Sequence, residues 1–356
     1  MLPRSPRARV ASLVATAALA LGGLAATGTG TVAPVGTAAA ATTSTARTTV
    51  PAADPAADRT LTKKAKDPRK TRGLFVDQRM PAFTQGEVRH APIAKKAQAL
   101  WLGIEYYGTP SVRGVVQQYT DLAVAARKTP VLVVYSIPDR DCDQYSAGGA
   151  ADGPTYQGWV KQVAAGIGSS KPLVIVEPDA IPFIGDPGCD DVADRLALLR
   201  FAVKRLAAAG AWVYLDAGHS GWTPYDGRAA LLKRAGVGFG RGIATNVSNF
   251  RALADEKAYG TLLRKELKKL GVTGVKQVVD TSRNGARNPV AGDVINPTWA
   301  RVGKAPKLVF DGGLDGTLWV KHPGESDGPL NGGPASGVWC DLLADRLLGL
   351  AERPGC

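Results

Sequence analysis

The chain has 356 residues, 45% of them hydrophobic and 21% charged, which excludes a collagen, a coiled coil or a pure linker and leaves room for one large globular domain or two ordinary ones. Lys and Arg number 44 against 31 Asp and Glu, yet +8 of the net +13 falls in residues 1–73 and only +5 in the rest. That remainder is a mixed surface without an RNP, zinc-finger or helix-turn-helix pattern, so no nucleic-acid partner is expected.

Arg4, Arg7 and Arg9 open the chain, residues 10–24 are apolar, and Thr37-Ala38-Ala39-Ala40-Ala41 offers small-residue cleavage choices. This is the pattern of a secretory signal peptide over residues 1–41. The apolar run is shorter than the ~20 residues a membrane span needs, so a secreted, extracellular protein without membrane association after cleavage is expected. Residues 42–72 are rich in Thr, Ala, Pro and Lys without an apolar period and read as a disordered arm, with a single folded domain over 73–356. Cys142, Cys189, Cys340 and Cys356 all follow the signal, in an oxidising setting that favours disulfides. Three pairings are possible, and local order favours Cys142–Cys189 with Cys340–Cys356. No C-x-x-C or phosphate-binding glycine motif occurs, and His90, His219 and His322 are scattered, so neither a metal nor a cofactor is expected.

Short apolar runs of strand length recur at 74–76, 99–102, 131–135, 173–176, 212–215, 242–245, 275–279 and 317–320, each followed by a polar cluster. Between the fourth and fifth, Val192, Leu196, Leu199, Val203 and Leu206 repeat at helical spacing, with Asp190 as N-cap and Gly210 beyond the end. Shorter helical patterns lie at 159–167, 229–235 and 338–350. The alternation predicts an α/β fold with a parallel sheet, either a barrel or a doubly wound sheet.

Ionisable residues concentrate just after these runs. Asp139-Arg140-Asp141-Cys142, Glu177-Pro178-Asp179 and Asp216-Ala217-Gly218-His219 follow three of them, and Asp280-Thr281-Ser282-Arg283 and Lys321 with Glu325-Ser326-Asp327 follow later ones. Carboxylates at the C-terminal ends of parallel strands converge on one mouth if the sheet closes. Such a cleft suits glycoside hydrolysis, with one carboxyl protonating the leaving oxygen and another assisting water, or a divalent-metal site. The interleaved Arg140, Arg283 and Lys321 favour the first. Trp101, Trp222 and Trp319 lie beside the clusters, as sugar-stacking platforms or as core aromatics at strand ends.

Val133-Val134-Tyr135-Ser136-Ile137-Pro138-Asp139-Arg140-Asp141-Cys142, leading to Ser146-Ala147-Gly148-Gly149, and Val176-Glu177-Pro178-Asp179-Ala180 resemble the two signatures of glycoside hydrolase family 6, the inverting cellulases. Tyr214 to His219, Thr245 to Asn249, Asp280 to Gly285 and Leu318 to Gly328 extend the resemblance in order over about residues 74–350. It implies a distorted, incompletely closed (β/α) TIM-like barrel of seven or eight strands, with a cleft for β-1,4-glucan. It further implies Asp179 as general acid, Asp141 as the neighbouring carboxylate that raises its pKa and with Ser146 holds water, Tyr135 crowding the sugar, and Asp327 as candidate base. Trp101, His219, Trp222, Asn246, Trp319, Lys321 and Glu325 match substrate-contact positions, with Asp216 and Arg140 in support. Asp141 could instead form a structural ion pair with Arg140.

The segment Val294-Ile295-Asn296-Pro297 departs from the family pattern, which has an aromatic platform and a cysteine there. Cys340 is then left for Cys356, and Trp299 is a candidate replacement platform. The short stretch 325–337 suggests an open groove, hence an endoglucanase, working as a monomer. A cellobiohydrolase, an idle glycan-binding protein, and a metal-dependent hydrolase built on Asp141, Glu177, Asp179 and Asp216 are the rival readings.

Overall fold

The computed structural model describes residues 67–185, 192–286, 290 and 293–356. The described residues all belong to one compact unit, Thr62–Cys356. The signal peptide, the arm up to residue 66, Cys189 and the Asp190 helix cap lie outside the described residues.

Eight strands make one sheet: β1 (Leu100–Leu102), β2 (Val131–Val134), β3 (Leu173–Val176), β4 (Trp212–Asp216), β5 (Gly242–Thr245), β6 (Lys276–Asp280), β7 (Lys307–Asp311) and β8 (Leu314–Leu318). Their order is β1-β2-β3-β4-β5-β6-β8-β7, parallel throughout except for the β7–β8 pair. Two short helices, α1 (Pro81–Thr84) and α2 (Ala91–Ala94), precede β1. The crossovers are α3 (Thr109–Ala125), α4 (Gly153–Ile167), α5 (Val192–Ala208), α6 (Arg228–Arg234) and α7 (Leu253–Lys269), and α8 (Asp341–Leu348) follows β8.

Strands buried on both faces sort their side chains by parity. Val131, Val133, Leu173, Ile175, Tyr214 and Ala244 gather in one cluster with Val278 and Leu318 from the far side of the sheet. Leu132, Val134, Val174, Val176 and Val213 pack outward with Val160, Val163, Leu199 and Val203 of α4 and α5. An inner cluster drawn from both ends of the sheet means that the sheet curls around its own core. Among the described residues no ladder joins β1 to β8; the Ala99 amide donates to the Trp319 carbonyl at 3.1 Å instead. This is the distorted, incompletely closed barrel, with eight strands.

Several elements differ from expectation. Residues 74–76 contribute one isolated bridge, Leu74 to Thr129, rather than a strand. Strand β7, built on the short apolar run Leu308-Val309-Phe310, was not among the expected strands, and its residues alternate between exposed and half-buried. The folded body also starts before residue 73. Pro68–Lys70 forms a 3₁₀ turn capped by Asp67, and Arg69, only 5% exposed, stacks on the Trp212 ring at 4.2 Å. Arg241 lies over the same ring at 4.2 Å and bonds Asp315 at 2.7 Å, which closes the barrel end where the strands begin.

Helix α8 is shorter than the expected 338–350, starting after Cys340 and ending at Gly349, whose φ of +67° suits a left-handed cap. Cys340 pairs with Cys356 as expected, 16 residues on. Cys142 is also disulfide-bonded. Closing a loop of that size restricts the unfolded chain by about 3 kcal/mol. Cys356→Ser should therefore lower the stability by about that much, read as a reduced urea midpoint.

Candidate active site

The chemistry-bearing side chains follow the C-terminal ends of the parallel strands, where the backbone must turn sharply. Glu177 and Asp179, just past β3, have φ values of +48° and +68°. Left-handed backbone costs a non-glycine residue roughly 1–2 kcal/mol, so other contacts must hold the turn. Glu177 supplies them: fully buried, it accepts the N–H groups of Ser136 at 2.9 Å and Ile137 at 3.0 Å and the Tyr156 hydroxyl at 2.9 Å. Burial pushes its pKa up to about 7. It bolts the ends of β2 and β3 together.

The same turn delivers Asp179, half-buried, to the mouth of the barrel. Its amide donates to Asp216 Oδ2 at 2.9 Å, an oxygen that also accepts the Gly218 amide at 3.1 Å. Burial, then the charges of Asp216 and Asp141, raise the Asp179 pKa well above the ordinary carboxyl range. Asp216 is pushed up as well, by burial. Burial also raises Asp141, against the opposing Ser146 amide at 2.7 Å and the nearby Arg140.

Arg140 does not form the alternative ion pair with Asp141. It reaches Glu105 at 3.1 Å and the carbonyls of Tyr135 at 2.8 Å and Ser146 at 2.9 Å, and lies 4.5 Å above the Tyr135 ring. Glu105 completes this knot by accepting the Gly149 amide at 2.6 Å. At Gly149, with φ +106°, a Cβ would stand 2.0 Å from the Ile137 carbonyl oxygen, so only glycine lets the loop close here.

Asp327 sits in the opposite electrostatic setting. Arg283 meets one oxygen at 2.5 Å, Lys321 the other at 3.3 Å, and the Asn296 amide donates at 3.2 Å. Burial alone would raise its pKa, but Arg283 and Lys321 outweigh it and hold the carboxyl below its ordinary range. Asp280 orders this side from beneath, accepting the amides of Ser248, Ser282 and Lys321 at 3.0, 2.9 and 3.0 Å.

Asp179, Asp141 and Asp327 line one cleft of about 850 Å³, together with Tyr135 and Ser146. Trp101, His219, Trp222, Lys321 and Glu325 line it too. Trp101 meets Tyr135 edge-on at 5.3 Å, and Trp222 meets Phe183 at 4.9 Å. Burial, with Arg251 and Arg228 nearby, lowers the His219 pKa to about 4, so the ring is neutral near pH 7.

Three expected contacts lie elsewhere. Trp319 is 3% exposed and packs with Ala82, Ile93 and Trp339. Its neighbours Leu318 and Val320 take the inner face, which turns Trp319 outward. Asn246 is fully buried, donating to the Asp280 carbonyl at 2.8 Å and accepting the Arg251 amide at 2.9 Å, so it staples the loop whose Ser248 and Asn249 reach the cleft. Trp299 packs on Phe250 at 5.4 Å and builds no platform, while Val294 and Ile295 line the cleft. Sequence reading missed Glu105, whose partners are remote in the chain, and the exposed Tyr106 and Tyr145, which line the cleft, and it gave Asp280 and Asn296 no role of their own.

Among the described residues no group of three or more His, Cys, Asp and Glu side chains could hold a metal. Glu177 spends its oxygens on the Ser136 and Ile137 amides and the Tyr156 hydroxyl, and Asp216 Oδ2 holds the Asp179 and Gly218 amides. Among the same residues no helix is long and apolar enough to cross a membrane.

Removing the Asp216 charge should release Asp179 to ionise more easily. Asp216→Asn is expected to lower the Asp179 pKa by about one unit, followed through the side-chain ¹³C carboxyl shift across pH. An unmoved titration would mean that burial alone sets it.

The family model for glycosyl hydrolases family 6 matches residues 57–348. Endoglucanase A of Cellulomonas fimi is 42% identical over 285 residues, covering 78% of this chain and 61% of that protein. Endoglucanase 1 of Streptomyces sp. (strain KSM-9) is 40% identical over 241 residues, 66% of this chain and 65% of that protein. The chain thus spans less than two thirds of the length of these relatives. Among solved structures, an endoglucanase of Mycobacterium tuberculosis in complex with methyl-cellobiosyl-4-deoxy-4-thio-β-D-cellobioside superposes with a TM-score of 0.73 at 36% identity, covering 79% of this chain and 98% of that one. With the barrel, the cleft and a family match over most of its length, the chain belongs to glycosyl hydrolases family 6.

Proposed function

We propose that the protein is a secreted endo-β-1,4-glucanase that hydrolyses internal bonds of cellulose or a related β-glucan with inversion at the anomeric carbon. The observation that carries this reading is that one cleft is lined by Asp179, which burial and the neighbouring Asp216 and Asp141 shift toward its protonated form, and by Asp327, which Arg283 and Lys321 shift toward its ionised form. Environments that drive two carboxyl pKa values apart are how one site supplies both an acid and a base. The thio-linked cellobioside bound by the Mycobacterium tuberculosis relative supports the substrate class.

In this mechanism Asp179 gives its proton to the glycosidic oxygen as the bond from C1 to that oxygen breaks. Water attacks C1 from the opposite face and its proton passes to Asp327, with Asp141, fixed by the Ser146 amide, steadying the water path. Asp327, already neutralised by Arg283 and Lys321, is a weak base, which suits proton collection through water rather than direct abstraction. Tyr135 crowds the sugar ring, while Trp101, Trp222, Tyr106 and Tyr145 offer flat apolar faces along the cleft.

One contact favours the rival, chain-end mode. The Ser146 and Ser336 hydroxyls meet at 3.2 Å and join the two loops that bear Asp141 and Asp327. A single neutral hydrogen bond contributes only about 1 kcal/mol, however, so the loops part readily for an internal stretch of glucan.

On soluble carboxymethylcellulose the protein should cut viscosity quickly while releasing few reducing ends; cellobiose as the sole early product would establish chain-end attack instead. Proton NMR of a fresh cello-oligosaccharide digest should show the α-anomer first. Asp179→Asn is expected to lower kcat about 10²- to 10⁴-fold, and full activity in that variant would remove the acid assignment. The kcat profile should be bell-shaped. Its alkaline limb, where Asp179 loses its proton, lies well above the ordinary aspartate value of about 3.9, and its acid limb, where Asp327 gains one, lies below it.

A further inference from the structure

The barrel seam is where the sheet lacks a ladder, and three polar contacts bridge it. Besides the Ala99 amide on the Trp319 carbonyl at 3.1 Å, the Trp101 indole N–H donates to the Val320 carbonyl at 2.7 Å. The third involves His322, a buried ring just past β8. Its Nε2 lies 2.6 Å from the Ala99 carbonyl oxygen and its Nδ1 lies 2.7 Å from Glu325 Oε1.

A carbonyl oxygen only accepts, so Nε2 must carry a proton. A bare Nδ1 would then set its lone pair against a carboxylate oxygen, which is repulsive; an N–H there makes a charge-assisted bond. The other histidines are bonded differently. His90 Nδ1 accepts the Glu87 amide at 3.0 Å and His219 Nδ1 accepts the Gly221 amide at 3.1 Å, so each of those nitrogens is bare.

We infer that His322, as an imidazolium, is a positioning residue: it ties β1 to β8 across the open seam and fixes the Glu325 carboxylate in the cleft beside Lys321. Glu325 and Lys321 both line the cleft, so a fixed Glu325 presents an acceptor to sugar hydroxyls next to a donor from Lys321. The charged groups facing the ring are Glu325 and Lys321, and β1 presents the neutral Ala99 carbonyl. Burial alone would lower the His322 pKa, but Glu325 and the Ala99 carbonyl outweigh burial and the Lys321 charge and raise it. A raised pKa makes this contribution to the fold complete below the ordinary histidine value of about 6.5, and lost as pH climbs through the folded-state value. The substrate role of Glu325 rests on the glucan-hydrolase reading; the imidazolium and the seam tie do not.

The test uses the full-length protein labelled with ¹⁵N-histidine, whose three rings are distinguishable by their bonding. At pH 6 both His322 nitrogens should show protonated shifts while His219 keeps a bare nitrogen, and His322 should titrate above the ordinary value. In Glu325→Gln the His322 midpoint should fall by at least one pH unit, a change that a merely space-filling ring would not show. His322→Gln should raise KM for cellohexaose about tenfold, the loss of one charge-assisted hydrogen bond, with kcat changed much less. A neutral His322 at pH 6 overturns the inference, as does a folded His322→Gln with wild-type KM. If that variant fails to fold, the titration in Glu325→Gln decides. If the wild-type protein cleaves no glucan, the function proposal fails, while the ¹⁵N titration still decides the His322 state and its tie to Ala99.

Discussion

Removing carboxyl groups from water is the constraint on which the rest of the molecule depends. Asp179, Asp216, Asp141, Glu177 and Asp280 all follow or end strands of the curled sheet, and burial pushes each of them toward the neutral form. Across the mouth, Arg283 and Lys321 reverse that tendency at Asp327 alone. The barrel therefore sustains two electrical climates within one cleft, one poor in cations and one rich. On the proposed mechanism, the division of labour between acid and base follows from that difference rather than from any intrinsic distinction between aspartates.

Holding these groups in place demands unusual backbone. Asp139, Asp141, Cys142, Glu177, Asp179, Asn246 and Ser248 all adopt positive φ. Residues so conformed persist where surrounding contacts over-determine them, and they gather at functional sites. Here the contacts are identifiable: Glu177 against the β2 exit, Asp216 against the Asp179 amide, Asn246 between the loops after β5 and β6, and Glu105 against Arg140 and Gly149. Buried hydrogen bonding offsets local strain, and that exchange gives the reacting groups fixed positions.

The central strands were legible because both of their faces are buried, which leaves uninterrupted Val, Ile and Leu runs such as 131–134 and 173–176. Strand β7 was not, although Leu308-Val309-Phe310 is an apolar run; at three residues it is short, and as an edge strand it leaves Val309 45% exposed. Helix α7 was missed because its buried stripe includes Glu256 and Gly260 among its apolar members. Position after a strand located Asp141, Asp179 and Asp327 well. It misassigned Trp319, because proximity to a strand end does not say which way a side chain turns, and Asn246, expected at the substrate from the family resemblance, is a buried loop staple. Glu105 gains its importance through partners 35 to 44 residues away, separations that no local pattern encodes, and the amides that Asp280 and Asn296 tie across the mouth lie 32 to 41 and 31 residues away.

The ring of Trp212, clasped between Arg69 and Arg241 where the strands begin, also settles geography. The chain joins the barrel at the rim facing away from the carboxyl-lined mouth. A purification handle or carrier spliced at Asp67 would emerge from the back of the barrel, so immobilisation through it would leave the working face toward a fibre.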